Sequence, residues 1–236
     1  MNQNKIIYGW WRCGTKLLAH VHQQIGYHNF GEFFNTFSCS IIHDDVPYAQ
    51  RLPVNAQQEQ RKLRMTMSPE DLFLIKHAEG QERIKIFQKF KMITPSIVTA
   101  WIGDSYYEND VFSLMDDRFY LCPRRENQTE QLLSGLLTYY NLNYNGEYES
   151  QPIRVTLDHV DFLYKELRDT TDSQTQLVNE KKGRWIDFDL LITGREDLGF
   201  DYIVDSQDQH RDLYSYFLNL ADVLSRIHLL QKSESR

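Results

Sequence analysis

The sequence is poor in residues that break or cross-link a chain. Of 236 residues only 11 are Gly and 6 are Pro, together about 7% against a usual share of about 12%. Collagenous, linker-like and low-complexity classes are excluded, and most of the chain is committed to regular elements. Cysteine is scarce as well. Cys13, Cys39 and Cys122 are odd in number and widely spaced, with no CxxC pair or metal-finger spacing. A disulfide scaffold is excluded, and a reducing compartment is expected. No apolar run approaches the roughly 20 residues that cross a bilayer. The first eleven residues hold no apolar stretch of signal-peptide length. The expectation is a cytoplasmic protein with no membrane partner. Catalytic fingerprints are missing too: no G-x-S-x-G, HExxH, GxGxxG or GK[ST] phosphate-loop motif occurs.

What is present is ordinary for a globular protein. Hydrophobic residues are 41%, charged residues 25%, and aromatics 13%, with 14 Tyr and 13 Phe to fill a core. The net charge is −7, which opposes nonspecific attraction of the whole surface to nucleic acid. That charge is unevenly spread. Residues 61–103 carry eight basic and four acidic side chains, while 104–150 carry three and nine. A basic segment therefore sits inside an acidic protein.

Lys5 to Trp11 is β-branched and aromatic and predicts a strand. Lys16 to Gln24 fits either a helix or an alternating strand. Val46 to Gln60, with two prolines, predicts a loop. Lys62 to Met67 and Arg83 to Ile93 alternate polar and apolar side chains as strands do. Ser96 to Ile102 predicts a buried strand, and Val111 to Met115 with Arg118 to Leu121 predicts a hairpin around Asp116-Asp117. Asn127 caps a predicted helix carrying Leu132, Leu133, Leu136, Leu137 and Tyr140. A second helix starts near Thr156 and gives way to a polar linker over 169–176. Trp185 to Thr193 and Phe200 to Val204 predict strands, and 208–231 the longest helix. Without a regular βαβ alternation, the expected class is α+β, with a largely antiparallel sheet in the N-terminal half. Helices and two or more strands would follow in the C-terminal half. One domain over 1–236 is expected, the alternative being a β-rich 1–124 and a helix-rich 125–236.

Two sites compete. If the alternating segments share a sheet face, Lys62, Arg64, Arg83, Lys85, Lys89 and Lys91 form a positive patch, with Phe87 placed to stack on a base. That patch suits an anionic ligand, nucleic acid or an acidic protein. Lysines are also the usual protection of an exposed sheet edge. The second site is Asp187 and Asp189, two apart on a predicted strand and so on one face. Such a pair can hold Mg or Mn beside a phosphate, with Asp201 or Asp205 as a third ligand. An amphipathic strand exposes the same two residues with no function at all. Weaker candidates are His20 and His22 as metal ligands, Cys39 near His43 as a nucleophile, and Glu180 with Lys182 in a nuclease-like spacing. The expected function is a non-enzymatic binding or accessory protein acting through the basic face. The alternative is a metal-dependent phosphoester-processing enzyme, a nuclease or nucleotide hydrolase, using the Asp pair.

Overall fold

Strand β1 (Asn4–Tyr8) lies in the middle of a sheet whose neighbours come from far along the chain. The structure, a computed structural model, describes residues 3–10, 12–29, 68–70, 73, 96–100, 118–141, 152–204 and 213–234. After β1 come helix α1 (Thr15–Gln23), β2 (His28–Asn29), β3 (Ser96–Ala100) and β4 (Arg118–Arg124). Then follow α2 (Gln128–Tyr140), α3 (Leu157–Asn179), β5 (Gly183–Asp187), the short α4 (Phe188–Leu191), a 3-10 turn (Leu213–Tyr216) and α5 (Leu220–Glu234). Strands β3, β1, β4 and β5 stand side by side in that order, with the two-residue β2 outside β3. Every pairing is parallel. No helix among the described residues is long and apolar enough to cross a membrane.

The expected α+β class with a largely antiparallel sheet is thus overturned. The arrangement is of the α/β type, and the reason is burial. Parallel sheets are covered on both faces, so their strands read as continuous apolar runs rather than alternating ones. Ile6 stands opposite Val98 and Tyr120, and Ile7 opposite Leu121. Ile7, Ile97, Leu121 and Ile186 pack under α1 with Leu18, Val21, Leu191 and Leu198. By alternation Ile6, Tyr8, Val98, Tyr120 and Cys122 take the other face, and they too are buried. A second core lies among α2, α3 and α5. Burying one such Leu or Ile side chain is worth about 1.5–3 kcal/mol.

Other differences have local causes. The residues expected as the second arm of a hairpin, Arg118 to Leu121, belong to β4, which is parallel to both neighbours. Lys16 to Gln24 resolves as helix. The polar linker expected over 169–176 is helix as well. There Thr170, Thr171, Ser173 and Thr175 each donate a hydroxyl hydrogen bond to the carbonyl four residues back. Those bonds stay within the helix, so polarity and helicity coexist. The strand expected over Trp185 to Thr193 stops at Asp187, whose carboxylate accepts from the N–H of Asp189 and of Leu190 and so caps α4. Residues 200–204 form no strand. The last helix begins only at Leu220, because Phe217 instead bridges to Ile153. The 23 residues of α3 make it the longest described helix.

Candidate anion-binding site

In an open parallel sheet, ligands bind beyond the C-terminal ends of strands where the chain departs in opposite directions. Here that place lies between β1 and β4. From β1 the chain passes through α1 to the β2 side, whereas β4 leads to α2 and α3 and then to β5 on the other side. Two loops therefore meet at one sheet edge: residues 9–14 after β1, and residues 124–127 after β4.

The first loop is shaped by its own residues. Gly14 has φ 83°, a left-handed conformation, and is the N-cap residue of α1. A Cβ there would lie 2.4 Å from the Phe188 ring, so glycine is required twice over. Arg12 is also left-handed, with φ 61°. Non-glycine residues held this way gather at ligand clamps, where the surrounding structure supports the strain. The support is visible. Trp10 is 4% exposed and belongs to the core of α2, α3 and α5. Its indole lies so close to Gly135 that a Cβ there would come within 2.5 Å of it. Cys13 donates its thiol hydrogen to the Trp10 carbonyl at 2.7 Å. Arg12 Nε donates to Ser134 Oγ of α2 at 2.9 Å, tying the first loop to the helix that follows the second.

The second loop brings cations. The Arg125 guanidinium lies over the Phe188 ring, 4.7 Å from its centre, and Arg124 lies over Trp185 at 5.0 Å. Arg125 is paired with Glu130 at 3.5 Å, and the buried Arg125 Nε has no hydrogen-bond partner among the described residues. A buried donor without an acceptor costs about 1–3 kcal/mol, which an anion at this edge would recover. The first turn of α1 contains no acidic residue and makes no side-chain cap hydrogen bond, and Lys16 stands in it. The opposite holds for α2, where Asn127 accepts from the Glu130 N–H. Helix N-termini favour negative charge, and unsatisfied first-turn N–H groups bind it.

The acids and thiols nearby are quiet by contrast. Burial pushes the carboxyl of Glu166 in α3 above the usual range, while its interaction with the Trp10 side chain opposes that shift. Burial pushes the thiols of Cys13 and Cys122 up to about 12, so both stay protonated at neutral pH.

The sequence-derived candidates are not among these residues. Lys62, Arg64, Arg83, Lys85, Phe87, Lys89 and Lys91 lie outside the described residues, as do Cys39 and His43. Asp187 and Asp189 do not share a strand face, since Asp187 ends β5 and Asp189 lies in α4. No group of three or more His, Cys, Asp or Glu suited to a metal ion occurs among the described residues. His20 and His22 are two apart on a helix and do not face each other; His22 donates from Nδ1 to the Leu18 carbonyl at 2.7 Å. Glu180 is ion-paired with Lys182 in the exposed turn after α3.

Gly9, Arg12, Gly14, Arg125 and Ser134 escaped the sequence reading. The signal was there. Gly9 and Gly14 stand five apart between a strand and a helix and are followed by Thr15 and Lys16. The phosphate loop has the same glycine spacing, with Lys before Ser or Thr; here the two residues stand in the other order. No family model matches the chain, and no curated protein is significantly similar to it.

Proposed function

We propose that this protein binds a phosphate-bearing small molecule where the loops after β1 and β4 meet. The observation that carries this reading is the set Trp10, Arg12, Cys13 and Gly14, held by their contacts at the switch point of a parallel sheet, beside Arg125. Arginine suits phosphate because its planar fork offers two parallel donors. The proposed ligand belongs to the anionic class expected from the sequence, and the basic segment named there lies outside the described residues. The fixed loop supports a ligand bound without large rearrangement, since its strained residues are already held.

The test is titration with inorganic pyrophosphate, read by calorimetry and by thermal stability. A ligand that binds only the folded state stabilises it by about 2.7 kcal/mol at a hundredfold excess over Kd. The expected result is saturable binding that weakens tenfold or more in Arg12→Ala and in Arg125→Ala. Absence of saturable binding at low salt overturns the reading. So does binding that survives both substitutions unchanged.

A further inference from the structure

The β1–β4 ladder stops early. Its last pair is Ile7 with Leu121, although β1 runs to Tyr8 and β4 to Arg124. Beyond that pair, the carbonyls of Tyr8 and Pro123 both accept from one donor, Nε2 of Gln174, at 2.7 and 3.2 Å. Gln174 belongs to α3 and is 3% exposed. A primary amide nitrogen carries two hydrogens, and each carbonyl takes one. Turned over, the amide would set its own oxygen against two carbonyls, so this orientation is the only satisfied one.

The position of these two carbonyls matters. Gly9 follows Tyr8 and opens the loop carrying Arg12. Arg124 follows Pro123 and opens the loop carrying Arg125. One buried side chain therefore holds the roots of both loops, at the place where backbone pairing has ended. We propose that Gln174 is a positioning residue: it sets the separation of the two loops and so their fit to an anion that touches both. This rests on the phosphate-binding reading above. Nothing in the inference requires Gln174 to touch the ligand.

The experiment measures Kd for inorganic pyrophosphate and for inorganic phosphate by calorimetry at 10 °C, near the usual temperature of maximum stability. Gln174→Met keeps the volume and removes both donors. Gln174→Asn keeps an amide one methylene too short to reach both carbonyls, and serves if the Met variant does not fold. Val160→Ala is the control for stability alone. It lies in the core of the same helix, 14 residues away, or about 21 Å along the axis. Pyrophosphate affinity is expected to fall about tenfold in the Gln174 variants. Their preference for pyrophosphate over phosphate is expected to shrink, because the longer anion depends more on loop separation. Val160→Ala should lower Tm and leave both constants within threefold. The inference is overturned if the Gln174 variants stay within threefold of wild type while Arg12→Ala loses binding. It is also overturned if Val160→Ala reproduces their losses. If wild-type protein binds neither anion, the phosphate-binding reading falls and takes this inference with it.

Discussion

Acid should destabilise this protein through one imidazole. His22 is 1% exposed, and the two groups it touches fix its protonation. Nδ1 lies 2.7 Å from the Leu18 carbonyl, which can only accept, so Nδ1 carries a hydrogen. Nε2 lies 3.2 Å from the Lys5 ammonium, which can only donate, so Nε2 accepts. The edges and faces of Tyr27 and Phe200 close the site, with ring centres 5.4 and 5.1 Å away. A second proton would aim a hydrogen at the ammonium, inside a cage of rings. Burial first, and then the charge of Lys5, bring His22 down to about 4, against about 6.5 in an unfolded chain. The sign follows from proton counting. Between pH 6.5 and 4 the unfolded state binds the proton and the native state does not, so stability falls as pH falls through that window. Above the window the group contributes no pH dependence, and below it none further. Each pKa unit is about 1.4 kcal/mol, so wild type should lose about 2.5 kcal/mol between pH 7.5 and 4.5 through His22 alone. Urea unfolding at both pH values measures this, with His22→Gln as a neutral reference that keeps an acceptor for Lys5. The difference between the two proteins' pH dependences should approach that figure. Identical pH dependences would refute the reasoning, because some other group would then be taking up the protons.

One further substitution and one reagent probe the loop and the strand beside it. Gly14→Ala must place a methyl into the Phe188 ring and hold a left-handed backbone; urea unfolding should show a loss of about 2 kcal/mol or more. The thiols of Cys13 and Cys122 are fully buried, so a thiol reagent at pH 8 should modify them only as fast as the protein unfolds, read by peptide mass mapping. Rapid labelling of the native protein at either position would contradict the packing described.

The parts that were legible in the sequence are those where one local rule decides. The helix after Asn127 has an apolar stripe and a capping residue, and both are present in α2. The strand at Lys5 and the start of α3 after Thr156 are of the same kind. Strand direction is a different matter. It depends on which segments pair, and the partners of β1 lie about 90 and 115 residues downstream. The Asp187 pattern misled because DxD alternation suits a strand, whereas the first carboxylate actually folds back onto two N–H groups. Gln174 looked like part of a linker because its neighbours are polar. Nothing local says that a glutamine will meet carbonyls 166 and 51 residues away. The proposed site was missed for a related reason. Its glycines and arginines belong to two loops, and only the parallel sheet makes those loops neighbours.

The central place of β1 also sets an order of events during synthesis. Strand β1 precedes the other described strands and needs a partner on each side, and β4 is complete only at residue 124. At translation rates of roughly 5–20 residues per second, β1 waits on the order of 10 s for that partner. Through that interval the run Ile6-Ile7-Tyr8, wholly buried in the finished fold, has no permanent cover. Closure of the 9–14 loop comes later still, because Arg12 needs Ser134, Tyr8 needs Gln174 and Gly14 needs Phe188. Contacts of such long sequence separation fold slowly and leave nascent chains open to aggregation. A ribosome-bound fragment ending before residue 188 would thus contain the whole glycine loop without the ring that closes it.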